Sequence, residues 1–206
     1  MAEDYLKELK EAPYPLFIAP RPHSFDLNED MIKLIRDEFS AEAVATRLAE
    51  AISGKAKGEV TKIAKDIFEE YGQNWMRRTM QLGEEYSDRT IEMVMESVDG
   101  SGSQFLIFPH LLQRFIEIAY LSTQESLKLP VTLNNQYELA YRVPQCLLFS
   151  KIKERCGDEV AKLMTCQHAC LKALETVNKD LEMDTVIDMT ATTAKDEYCE
   201  FSMKKL

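Results

Sequence analysis

The sequence predicts an α+β fold, with a helical N-terminal half followed by a small antiparallel sheet covered by helices. Three observations carry this expectation. Apolar residues keep helical spacing as far as Ser122. Alternation of period two starts at Leu127 and returns at the C-terminal end of the chain. All five cysteines lie at or after Cys146, so the two halves also differ in composition. The division is placed between a helical region, 1–124, and a cysteine-bearing α+β region, 125–206; one continuous domain also fits.

Each element has its own local reason. Residues 3–11 can form a short helix, and Pro13, Pro15, Pro20 and Pro22 make 12–27 an extended arm. Asn28 caps the next helix, with Glu29 and Asp30 in its first turn, where the helix dipole favours acids. Ile32, Ile35 and Phe39 form its stripe. Ser40 caps a second helix carrying Val44, Leu48 and Ile52 at intervals of four. A long helical pattern runs from about Glu59 to Val98, with Gly72 and Gly83 marking a bend or a close crossing. Asp99 to Gly102 ends it. Pro109 opens a helix that runs to about Ser122.

Beyond it, Leu127, Leu129, Val131 and Leu133 alternate with other residues, as do Tyr137, Leu139 and Tyr141. Asn134–Asn135 reads as the hairpin turn between them. Pro144 starts a short helix ending near Gly157, and a further helix spans Asp158 to about Asn178. Two strands close the chain. Ile187, Met189 and Ala191 share a face of the first, and Cys199, Phe201 and Met203 a face of the second. The order ββααββ predicts an antiparallel sheet covered by helices.

Composition narrows the function. The chain has 206 residues, 45% of them apolar, enough to bury a core without disulfide or metal staples. The net charge of −10 repels phosphate, so neither nucleic acid nor an anionic membrane is expected as a partner. The first residues are charged and lack an apolar signal core, so a cytoplasmic location is expected. The odd cysteine count fits reduced thiols better than an extracellular disulfide framework.

No phosphate-cradling loop, GxGxxG, HExxH or GxSxG motif occurs. The cysteines are the main chemical feature. Cys146 falls in the first turn of a predicted helix, a position that can lower a thiol pKa. Cys166 and Cys170 share one helical face with Leu163, Leu174 and Val177, so core packing is the plain reading for them. His168 points about 200° away from either, a poor placement for sharing a metal with them. Structural, ligand-lining, nucleophilic and metal-binding roles of the cysteines all stay open. Arg77 and Arg78, near Glu84 and Glu85, read mainly as a solvated charged face. His23 and His110 have no visible partner. Met76, Met80, Met93 and Met95 fit either ordinary core packing or an adaptable contact surface.

Three segments together resemble the L-2-amino-thiazoline-4-carboxylic acid hydrolase-like family, and more distantly the 4-vinyl reductase type of ligand-binding domain. Cys146-Leu-Leu-Phe149 is similar to the family's Cys-Pro-Phe helix start. Cys166, twenty residues on, resembles its middle cysteine. Asp196-Glu-Tyr-Cys-Glu-Phe201 looks like its closing Gly-Asp-x-x-Cys-[Asp/Glu]-Phe hairpin. Leu147, Lys195 and Ala169 stand where the family has Pro, Gly and often an acid.

The resemblance implies a helix-covered sheet with a pocket near the cysteines, and a reaction that opens a cyclic C–N bond. Such a step needs an activated nucleophile and a donor for the developing charge. Cys146 or Cys166 would be the catalytic thiol. Arg142 would hold the substrate carboxylate, with Cys199 and His168 as further substrate-binding residues. The expected function is thus a hydrolase-like protein acting on or binding a small cyclic amide or thiazoline. The alternative is a non-catalytic small-molecule or metal sensing domain. No cofactor is specified, the expected partner is a small-molecule ligand, and a homo-oligomer built on the long helices is expected.

Overall fold

The computed structural model describes residues 27–124 and 129–206. The helix expected over 3–11, the arm over 12–26, His23 and Leu127 lie outside them. The architecture is α+β: a helical N-terminal half, then a four-stranded antiparallel sheet with helices packed on one face.

The N-terminal half begins with α1 (Glu29–Glu38) and α2 (Ala41–Ile52). Both start where local chemistry places them. Asn28 Oδ1 accepts from the Asp30 and Met31 N–H groups at 3.0 and 3.1 Å. Ser40 Oγ accepts from Ala43 N at 3.3 Å. The buried stripe of α1 is Met31 and Ile35, whereas Ile32 and Phe39 are half-buried.

The long pattern is two helices rather than one: α3 (Lys57–Glu85) and α4 (Arg89–Ser101). The break falls at Ser87, which has a φ of 48°, and Asp88 caps the new helix by accepting from Thr90 N and Ile91 N. Asp88 also receives the guanidinium of Arg114, with Nη2 2.7 Å from Oδ2, both side chains being buried. Neither glycine marks the bend. Gly72 lets α3 cross closely over the helix that carries Ala169, because a Cβ there would lie 2.0 Å from the Ala169 carbonyl oxygen.

After Gly102, a 3₁₀ turn (Gln104–Leu106) and a wider turn (Ile107–Leu111) lead into α5 (Leu112–Thr123). Pro109 therefore sits in the turn before this helix, not at its first position.

In the second half, β1 (Val131–Asn134) and β2 (Glu138–Val143) form the expected hairpin. Asn135 Oδ1 accepts from Tyr137 N and Glu138 N. Next come α6 (Leu147–Cys156), ended by Gly157 at a φ of 86°, and a single turn, α7 (Asp158–Ala161). The helix expected over 158–178 is interrupted: Met164 takes a φ of 52°, and α8 (Gln167–Asp180) starts after Cys166. Strand β3 (Thr185–Ala191), the turn α9 (Thr193–Asp196) and β4 (Cys199–Lys205) finish the chain.

The strand order is β1-β2-β4-β3. Registers Leu139↔Met203, Tyr141↔Phe201, Val143↔Cys199 and Ile187↔Met203 put these side chains on one face, toward the helices. Arg142, Glu200 and Ser202 occupy the other face. The most extensive helix–helix contact joins α3 to α8, and α2 packs on α6. One apolar cluster therefore runs through both halves. No helix among the described residues is long and apolar enough to cross a membrane.

Candidate functional site

Three elements carry cysteines to one interior. Cys146 is the N-cap of α6, one position before the helix, and its Sγ accepts from Phe149 N at 3.4 Å. Cys166 is the N-cap of α8 rather than a mid-helix residue. Cys199 opens β4 with its Sγ 3.1 Å from Thr193 Oγ1. Cys146, Cys166 and Cys199 are all buried, and all five cysteines are free thiols.

Tyr120 and Tyr141 belong to the same buried cluster. The Tyr141 hydroxyl donates to that of Tyr120 at 3.2 Å. Cys170 lies close enough to Tyr120 for each to affect the other's ionisation, although part of the Cys170 residue reaches the surface. Ring contacts continue outward from this pair. Tyr120 meets Trp75 edge-on at 5.0 Å, Trp75 is 5.9 Å from Tyr71, and Tyr71 meets Phe39 edge-on at 5.7 Å.

Electrostatics follow from burial. Loss of water, reinforced by Cys199, pushes the Cys146 thiol up to about 12, against the pull of the Phe149 and Leu148 N–H groups. The lowered pKa expected from a helix N-terminus is thus overturned: desolvation outweighs the helix end. Burial raises Cys166, Cys170 and Cys199 too, and lifts the Tyr120 and Tyr141 phenols well above their ordinary value. All of these groups are neutral at physiological pH. Among the described residues, no three His, Cys, Asp or Glu side chains converge closely enough to hold a metal ion.

Two of the expected substrate-binding residues lie elsewhere. Arg142 is on the far face of the sheet, its Nε donating to Glu200 at 2.5 Å and its guanidinium 4.6 Å from the centre of the Tyr198 ring. The alternation that turns Tyr141 and Val143 inward turns Arg142 outward. His168 is half-buried near Glu69 and Lys65 of α3, and burial lowers its pKa. Neither faces the thiols. Arg78 pairs with Glu38 at 3.0 Å, as a solvated ion pair.

The structure supplies other candidates. A cleft of about 440 Å³ opens where α1, α2, α5 and α6 meet. Arg36 and Lys151 are its cations, Glu42 its anion, and Phe39, Leu121 and Leu147 its main apolar surface. Arg36, one of the lining residues, is held by its Nε donating to Ser122 O at 3.1 Å. Lys151 lies 3.2 Å from Glu42 and 2.9 Å from Glu154. Gln124 Oε1 accepts from Leu147 N at 2.7 Å, fixing the start of α6, where Leu147 lines the cleft and the preceding residue is Cys146. Sequence reasoning missed Arg36, Gln124 and Lys151, which are separated in the chain and meet only through packing. One signal was available: the Phe39–Ser40 junction, a single residue between a helix end and the next cap.

No protein-family model matches this chain, and no curated protein or solved structure matches it either.

Proposed function

We propose that the protein binds a small cyclic carboxylate in the cleft between α1, α2, α5 and α6. The observation that carries this reading is that one cleft is lined by two cations, Arg36 and Lys151, against a single carboxylate, Glu42, with Phe39, Leu121 and Leu147 as its apolar surface, next to the buried Cys146. A carboxylate suits the two cations, and a compact ring suits Phe39 and Leu147. The volume is in the range of roughly 300–1,000 Å³ typical of small-molecule sites. A thiazoline or cyclic amide acid, the class suggested by the hydrolase-like resemblance, has both features.

Between catalysis and sensing, the neutral thiols favour binding without thiolate attack. Hydrolysis at this site would have to use water as the nucleophile. The test is a thermal-shift panel of cyclic carboxylates, their amides and open-chain analogues, with product analysis in parallel. Stabilisation by 2-aminothiazoline-4-carboxylate or a related acid but not by its amide supports the reading; no shift with any acid rejects it. Product formation that persists in Cys146→Ser would assign turnover to water.

We also infer a homodimer through α4. Of its 13 residues only Ile91 is buried, and Met93, Met95 and nearby Phe105 are exposed.

A further inference from the structure

We propose that Phe39 is a gate between this cleft and a second one, and that the ring of the bound acid takes the place of Phe39 against Tyr71 when the gate opens. This rests on the small-carboxylate reading above. The second cleft, of about 250 Å³, lies on the other side of the α1–α2 corner and is lined by Val44, Arg47, Tyr71 and Asn74. Phe39 and Ser40 line both clefts and form the wall between them.

The backbone of this wall is pinned. Phe39 N donates to Ile35 O at 2.9 Å, closing α1, and Ser40 caps α2. The Phe39 carbonyl accepts from the Tyr71 hydroxyl at 2.9 Å. Every nearby backbone constraint is therefore met without the Phe39 side chain, which is half-buried and can rotate about χ1 while the corner stays in place. Its removal would join the two clefts and uncover the Tyr71 ring.

What lies behind the gate defines the ligand. Tyr71 leads to Trp75, Tyr120 and the thiols, a layer of flat, polarisable groups that suits a planar ring. A flat ring resting on Tyr71, with its carboxylate held outside by Arg36 and Lys151, fits the joined space.

The test uses the full chain in its native state, labelled with the neutral thiol reagent dithiodipyridine and read cysteine by cysteine by mass spectrometry. Phe39→Ala should speed labelling of Cys146 by about tenfold or more while leaving Cys199 unchanged. Phe39→Leu, which keeps most of the apolar volume, should fall between. If Cys146 and Cys199 accelerate together, the fold has loosened and the gate is rejected. If neither changes in either variant, it is rejected as well. Benzoate titration read by fluorescence of Trp75, the chain's single tryptophan, is the second arm. Tighter benzoate binding in Phe39→Ala supports replacement of Phe39 by the ligand ring. Selective Cys146 labelling without any benzoate binding keeps the gate and overturns the carboxylate ligand.

Discussion

The Tyr71 hydroxyl donates to the Phe39 carbonyl at 2.9 Å, and the two rings meet edge to face 5.7 Å apart. This one contact ties the corner between α1 and α2 to the middle of α3, and so ties the cleft to the aromatic and thiol interior. Tyr71→Phe should keep the ring contact and lose the hydrogen bond, at a cost of about 1 kcal/mol. Urea unfolding of the two proteins measures it.

The crossing of α3 and α8 depends on Gly72. Adding a Cβ would place it 2.0 Å from the Ala169 carbonyl oxygen, and backbone cannot swing aside as a side chain does. Gly72→Ala should cost about 3 kcal/mol or more, at the upper end of overpacking effects. Gly83→Ala should cost less, because its Cβ would meet the flexible end of Ile91, 2.9 Å away. Equal midpoints for the two variants in chemical denaturation would contradict this geometry.

Asp88 both caps α4 and pairs with buried Arg114. Asp88→Ala removes the cap and a carboxylate that holds Arg114, while Glu117, 3.3 Å away, still pairs with the guanidinium. The expected loss is about 2–3 kcal/mol, from a lost cap and lost charge-assisted hydrogen bonds. Asp88→Asn, which retains a cap oxygen, should recover part of it. Thermal unfolding of both variants provides the comparison.

Alkaline pH should destabilise the protein. The Cys146 thiol has an ordinary pKa of 9.0 and is raised to about 12 in the fold, so between these values the unfolded chain ionises first. Its contribution is fully present below pH 9 and is lost as pH rises toward 12. Tyr120 and Tyr141 act in the same direction from their ordinary 10.0 upward. Each such group adds a slope of up to about 1.4 kcal/mol per pH unit. Denaturation midpoints from pH 7 to 11 should decline, and Cys146→Ala should flatten the decline.

Much of the fold was legible where the reason is local. Asn28, Ser40 and Gly157 act on residues within a turn of themselves, and the strand faces of β3 and β4 follow from alternation. The break at Asp88 was not legible, because its partner Arg114 lies 26 residues on and the apolar spacing continues through Ile91. Nor was the break at Met164, where a non-glycine residue takes a positive φ without a Gly or Pro to announce it. For the site, sequence patterning turned Cys166 and Cys199 inward, yet it could not weigh burial against a helix end at Cys146. Arg142 directly follows the inward-facing Tyr141, so the strand's alternation puts it on the opposite face.

If α4 is a dimer surface, light scattering should give twice the chain mass for the wild type. Met93→Glu, at an exposed position, should give the monomer without loss of thermal stability. A wild type that stays monomeric at every concentration would remove the dimer.

We propose that the Arg36–Lys151 cleft holds a small cyclic carboxylate. The most direct test is calorimetric titration of 2-aminothiazoline-4-carboxylate into the wild type, Arg36→Ala, Lys151→Ala and, as a control, Arg142→Ala. Binding to the wild type should be saturable, weaken about tenfold in each cleft variant and stay unchanged in Arg142→Ala. Binding lost in Arg142→Ala but kept in the cleft variants would contradict it, and so would no binding to the wild type.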